Sequence, residues 1–143
     1  MSLISDYADA VVAELNRNDE WSIPFEARRV TVPRKDLKEL DHLVVSVIPS
    51  SLHLSNTTRA LTKMEIEIDI GVQKHLGADE LAEVAALGTL VDEIMFYMKG
   101  RLLTAKPYAQ WLETENNPIY IPEHIAQKRV FTSVITLKYQ QLK

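Results

Sequence analysis

The sequence predicts an α+β domain: a mainly antiparallel sheet of about four strands, with two main helices packed on its apolar face. Three observations carry this. Apolar residues recur at helical spacing over residues 2–18 and 79–103, and they alternate strictly over 63–74. The order along the chain is helix, three strands, helix, loop, strand, and consecutive strands with short links pair antiparallel. Both helices have one apolar face to bury, and the sheet is the surface that can receive it.

The first helix rests on Ile4, Tyr7, Ala8, Val11 and Leu15, with Ser2 placed to cap it. Asn16, Asn18 and Asp19 end it. Trp21 and Pro24 lead into a strand over about 25–32, closed by Pro33. Lys35–Asp41 reads as a polar turn or short helix. HLVVSVIP at 42–49 reads as a central strand, because it is apolar on both faces. The Ser-, Asn- and Thr-rich run at 49–61 reads as a projecting hairpin connection.

Lys63–Lys74, KMEIEIDIGVQK, is the most informative stretch. Met64, Ile66, Ile68, Ile70 and Val72 fall on one side of an extended chain, and Glu65, Glu67, Asp69 and Gly71 on the other. Gly71 marks a bulge or a close backbone approach. A row of like charges on one sheet face repels itself, so the row needs partners or a use. The helix at 79–103 follows, with Leu81, Val84, Leu87, Val91, Ile94 or Met95, Met98 and Leu102 tracing its apolar face. Asp79, Glu80 and Glu83 at its start and Lys99 and Arg101 near its end match the helix dipole, and Gly100 is a candidate cap. Residues 104–129 read as a long irregular loop. Within it, 108–114 is a candidate short strand around Trp111, and PEHIAQ is a candidate helical turn starting on Pro122. VFTSVITLKYQ at 130–140 is the last strand, with Phe131, Ile135, Leu137 and Tyr139 on one face.

The 143 residues fit a single domain, and their 46% apolar and 25% charged composition is that of a globular protein. The net charge of −4 argues against a domain held to nucleic acid by phosphate contacts. With no cysteine in the chain, disulfides, Cys-based zinc sites and thiol catalysis are excluded. The first residues carry acids where a signal peptide carries bases, and no apolar run approaches the ~20 residues of a spanning helix. A soluble protein outside any membrane is the expectation.

Catalytic chemistry finds little support. His42, His53, His75 and His124 are never three or four residues apart, so no helical metal pair exists. Four scattered glycines build no phosphate loop, and the serines lack a nucleophile-elbow context. Glu65, Glu67 and Asp69 are the one imaginable metal site. Same-face neighbours on a strand stand ~7 Å apart, too wide for three to share one ion unaided. No cofactor or metal is expected. Arg28, Arg29, Lys63, Lys74 and Lys138 are the candidate ion partners of the row. The remaining option is that the row faces a second copy of the chain or a lumen. Trp21 and Trp111 divide between core lid and subunit contact, and Arg59 in the polar hairpin is suited to a charged partner.

FEARRVTVPRKDLKEL, LVVSVIPSS, the Arg59 region with EIEIDIGVQKHL, the long helix, ENNPIYIPEHI and FTSVITLKY occur in that order. The succession resembles the tail terminator (tail completion) proteins of long-tailed bacteriophages, over about residues 25–140. IDIGVQK and TSVITLKY are its most specific pieces. The resemblance implies a structural virion protein, made in the host cytoplasm. Six copies would form a ring at the head-proximal end of the tail tube, end tube growth and join the tail to the head connector. Its implied partners are further copies of itself, the major tail tube protein and the connector. DNA would pass through the lumen without specific binding, and no membrane is involved. A neighbouring neck, head-closure or adaptor protein is the alternative, and a small enzyme with an acidic metal site a lesser one. On this reading Glu65, Glu67 and Asp69 are the lumen- or subunit-facing residues. Arg59, His53, Trp111 and Tyr120 are the partner contacts, carried on the hairpin 49–61 and the loop 104–129.

Overall fold

A computed structural model describes residues 2–31 and 41–142. The chain is α+β, and the described residues form three helices and a five-stranded mixed sheet. In chain order the elements are α1 (Leu3–Arg17), β1 (Ala27–Arg29), β2 (Val44–Asn56), β3 (Thr62–His75), α2 (Glu80–Met98), β4 (Gln110–Asn116), α3 (Pro122–Lys128) and β5 (Val130–Leu142). The strands lie in the order β1-β2-β3-β5-β4. The expected sheet of about four antiparallel strands with two helices is therefore corrected at both edges. β1 runs parallel to β2, with Ala27 opposite Val45 and Arg29 opposite Val47. A parallel neighbour needs a long link rather than a tight turn, and residues 30–43 provide one. The turn or short helix read at 35–41 lies outside the described residues except for Asp41.

The second correction concerns the polar run at 49–61. Serine and asparagine there do not break the strand: β2 continues to Asn56, opposite Thr62, and the connecting loop is only Thr57–Leu61. The register shifts between Pro49 and Ser51, where proline cannot donate to the ladder. Gly71 is not at a bulge. It pairs in register with Ser46 and Val134, and a Cβ there would meet nothing closer than 4.0 Å. The third correction is in 104–129, where the long loop contains β4 and α3. β4 joins the sheet antiparallel to β5, with Glu113 opposite Lys138. Two residues of local apolar signal, Trp111 and Leu112, were too few to fix its length; pairing with β5 supplies the rest.

The core forms where α1 and α2 cover the apolar side of the sheet. Met64, Ile66, Ile68, Ile70 and Val72 of β3 are all buried, together with Val45 and Val47 of β2 and Ile135, Leu137 and Tyr139 of β5. Tyr7, Val11 and Leu15 come down from α1, and Leu87, Leu90, Val91, Ile94 and Met98 from α2. The Ser2 hydroxyl accepts from the Ser5 N–H and caps α1, as its position in the sequence predicts. Helix α2 stops at Met98, earlier than the periodicity indicates, because Gly100 adopts φ +66° and turns the chain. Leu102 is thereby carried off the helix into solvent, and Leu81 is 85% exposed, so neither belongs to the core-facing stripe.

Among the described residues, one charged group lies inside this layer. Glu14 of α1 is 1% exposed. Its Oε1 accepts from the Thr104 N–H at 2.9 Å, the Thr104 hydroxyl at 2.8 Å and Arg17 at 3.3 Å, and Arg101 stands 3.9 Å from its Oε2. Next to it the Tyr97 hydroxyl donates to the Glu14 carbonyl at 3.0 Å. Trp21 closes the same end of the core: its indole N–H donates to the Leu15 carbonyl, and its ring stacks on Phe25 at 5.2 Å and meets Tyr97 edge-on at 5.0 Å. Tyr139, buried beside Glu14, has its phenol pushed far above the usual value by desolvation. A buried carboxylate is tolerable only when its acceptor sites are filled, and here they bind α1 to the segment that leaves α2.

Two stability changes follow. Ile68→Ala, which removes a fully buried side chain from the central strand, should cost about 2–5 kcal/mol in urea denaturation. A cost under about 1 kcal/mol would show that this face of β3 is not the core. Glu14→Ala should cost about 1–3 kcal/mol, because the Thr104 donors lose their acceptor while both arginines can turn to water. An unchanged urea midpoint would show that the network does not hold α1 to residue 104.

Candidate functional site: a charged sheet face, two open edges and an apolar helix side

The alternation in β3 puts Glu65, Glu67 and Asp69 on the face opposite α1 and α2. Register places His53 beside Glu65 and Ser51 beside Glu67 on the β2 side. On the β5 side, Lys138 stands opposite Glu67 and Thr136 opposite Asp69. Next along, β4 sets Glu113 against Lys138 and Glu115 against Thr136. Strands β3, β4 and β5 thus bring five carboxylates to one face against two ammonium groups, Lys63 and Lys138.

The three carboxylates of β3 do not converge on one another. Lys63 holds Glu65 at 3.0 Å, Lys138 reaches Glu67 at 3.5 Å and Glu113 at 3.8 Å, and the Thr136 hydroxyl donates to Asp69 at 2.7 Å. Each takes a separate partner from a flanking position, which is how the row is tolerated. Of the other candidate cations, Arg29 pairs with Asp9 of α1 and Lys74 lies 3.9 Å from Glu83 of α2. Among the described residues, no three His, Asp or Glu side chains are grouped to hold a metal ion. The Lys63 ammonium, by hydrogen bond and charge, holds the Glu65 carboxyl below its ordinary value. The nearby Glu113 charge, and then the hydrogen bond to Glu67, raise the Lys138 ammonium above its own.

The remaining sequence candidates are scattered over the surface. His53 lies on the exposed outer half of β2, and Arg59 in the exposed loop beyond it. Trp111 of β4 is half-buried against the core and donates its indole N–H to Thr114 at 2.8 Å. Tyr120 is partly exposed, with its ring 6.2 Å from that of Phe131. Trp21 is part of the core, as described above.

Two features escaped the sequence reading. The first is the outer side of α2. Leu81, Ala82, Ala85, Ala86, Thr89 and Phe96 are exposed along it, Phe96 at 73%. Asp92 is the one charge among the exposed residues between Leu81 and Phe96. Beside it runs a cleft of about 300 Å³ that reaches Ile119 and Tyr120, and Ile119 is itself exposed. Gly88 sits in that cleft with nothing within 4 Å of where a Cβ would be. The signal was available: a helix apolar nearly all round reads as buried on more than one side. The second feature is the edges of the sheet. β1 covers β2 only from Val45 to Val47, and β4 pairs on one side only. Among the described residues, Ser51–Asn56 of β2 and Gln110–Asn116 of β4 have open outer edges. Edge status depends on pairing across the whole chain, which no local pattern encodes.

No family model matches the chain, and no curated protein matches it. Among solved structures, it is similar to the sheath/tube terminator, in its extended state, of an extracellular contractile injection system named PVC. The two are 14% identical, with a TM-score of 0.40. The match covers 96% of this chain and 56% of that one, so this chain spans little more than half the neighbour's length. Among the described residues, no helix is long and apolar enough to cross a membrane.

The ion pairs of the acidic face have a signed pH dependence. Glu65 is depressed, so its contribution to stability is present above the ordinary carboxyl value of 4.5 and is lost as pH falls through its lowered midpoint. Lys138 is raised, so its contribution is present below 10.5 and is lost as pH rises through its elevated midpoint. Carbon-13 NMR titration of the side-chain carboxyls should place the Glu65 midpoint below 4.5 and move it upward in Lys63→Ala. The same midpoint in both proteins would refute the pairing.

Proposed function

We propose that this chain is a structural assembly protein of a phage tail. In this reading, copies form a ring, of six members by the family resemblance, on the head-proximal end of the tail tube. The ring ends tube growth and offers its other side to the head connector.

The observation that carries an assembly role is the outer side of α2. An exposed apolar strip of this length on a soluble domain marks a surface that is covered in use. Leu81 and Phe96 bound it, and the small residues between them let another backbone come close. Gly88 adds to this. Glycine inside a helix costs about 0.5–1 kcal/mol relative to alanine, and none of the described residues occupies the space that a side chain would take. The tail setting comes from the resemblance of the segments quoted above, chiefly IDIGVQK in β3 and TSVITLKY in β5.

The acidic face fits the same picture. Even after its two lysines are counted, β3–β5 keep a surplus of carboxylates there. Such a surface repels phosphate, and its two lysines are already paired with carboxylates, so DNA could pass it without sticking. Glu65, Glu67 and Asp69 are therefore the residues assigned to the lumen, with Arg59, His53, Trp111 and Tyr120 as contacts to tube, connector or neighbouring copies.

Tails assembled with and without the protein, imaged by negative stain, test the role. Overlong tubes are expected in its absence, and regular lengths once it is added. Tubes of equal length in both preparations would refute it. Replacing Thr57–Leu61 by a two-residue turn should leave a folded protein that fails to end tube growth; unaltered length control would remove the hairpin from the contact.

A further inference from the structure

The two edges of the sheet that are open among the described residues differ in a way that makes them complementary. The outer half of β2, Ser51–Asn56, reads SLHLSN. Between the register shift at Pro49 and the turn it carries no lysine, no proline and no inward-pointing charge. Leu52 and Leu54 stand on the helix side of the sheet, opposite Ile66 and Met64, yet are 42% and 58% exposed. From Pro49 to Lys63 there is no acidic residue, while His53, Arg59 and Lys63 are basic. The β4 edge has the opposite character. Gln110–Asn116 contains Glu113 and Glu115 and no basic residue. Its helix side presents Trp111, and Leu112 is exposed at the register shift.

Direction also matches. β2 is antiparallel to β3, β3 to β5, and β5 to β4. Strands β2 and β4 therefore run in opposite senses. A copy rotated about an axis along the strands presents its β2 antiparallel to its neighbour's β4. In that arrangement both faces continue across the junction: Leu52 comes level with Trp111 on the apolar side, and on the charged side Ser51 comes level with Glu113, with His53 diagonal to it.

We infer that the outer half of β2 in one copy pairs with β4 of the next, so that the sheets join edge to edge into one continuous band. The occupant of each edge is a second copy of this chain. Backbone donors and acceptors that no described strand pairs, on both strands, supply the attraction, and the opposite charges set which edge meets which. Because the two surfaces differ, the contact is head-to-tail: it closes into a ring when the rotation divides a full turn and otherwise grows open-ended. The inference rests on the ring reading above, for which it names the contact, and it extends the acidic face of β3–β5 around the whole assembly.

The chain has no cysteine, so engineered thiols report without background. Four single variants are needed, Ser51→Cys and His53→Cys on β2 and Glu113→Cys and Glu115→Cys on β4; all four residues are exposed and share one face. β2 and β4 variants are mixed pairwise at concentrations up to about 1 mM and oxidised. At least one β2–β4 pair should give mixed dimers in tenfold or greater excess over both homodimers, and the corresponding double variant should give a ladder of higher species. Homodimers in excess, or no disulfide in any of the four mixtures, would overturn the edge pairing. The protein without substitutions is then tested for tube-length control. Length control with homodimers only keeps the tail role and discards this contact. Mixed dimers with no effect on tube length keep the contact and discard the tail role.

Discussion

A strand with neighbours on both sides can carry an apolar face and a charged face only if each is matched, and β3 is matched on both. Its five apolar side chains, Met64 to Val72, receive the helix layer. Its carboxylates are met one at a time, by Lys63, by Lys138 and by the Thr136 hydroxyl. A shift of one residue in register would put Glu65, Glu67 and Asp69 under the helices, at a cost no surface ion pair could offset. The alternation thus fixes the pairing with β2 and β5, and through them the places of β1 and β4. The helices follow, because only one side of the sheet is apolar. Glu14 secures them by tying α1 to Thr104 and Arg101 past the end of α2.

The same constraint separates a structural surface from a catalytic one. Acid–base or metal chemistry requires groups that converge. Here each carboxylate of β3 is taken by a partner from a flanking position, and successive ones point outward in parallel. The result is a broad field of one sign rather than a pocket. Such a field acts at a distance on another charged body, which suits a wall that a polyanion passes. The surfaces proposed above to build such a wall are different ones, the apolar outer side of α2 and the sheet edges left open among the described residues.

What was legible in the sequence was local. The alternation of β3, the stripe of α1 and its Ser2 cap, and the two faces of β5 are periodic patterns, and they emerge in the structure with bounds close to those expected. The misread parts depend on distant partners. Ser50–Asn56 has the composition of a loop, yet it is strand because β3 lies beside it. β4 has too little apolar character to stand out, yet it pairs because β5 offers an edge. The sequence reading puts Leu81 in the core stripe of α2, but it lies with Ala85 and Thr89 on the exposed outer side of the helix. At the charged face the residues were legible, since Glu65, Glu67 and Asp69 follow from period two. Their one-to-one partners were not, because register with β5 selects Lys138 and Thr136 from several candidates.

The central claim is that the carboxylates of β3 face a channel formed by several copies of the chain. A cryo-EM reconstruction of the assembled ring, alone or on a tail tube, tests it most directly. The predicted result is a ring whose inner wall carries Glu65, Glu67 and Asp69, with α1 and α2 on the side away from the lumen. A ring that turns this face to its outer rim, or a map in which α1 and α2 line the channel, would contradict it.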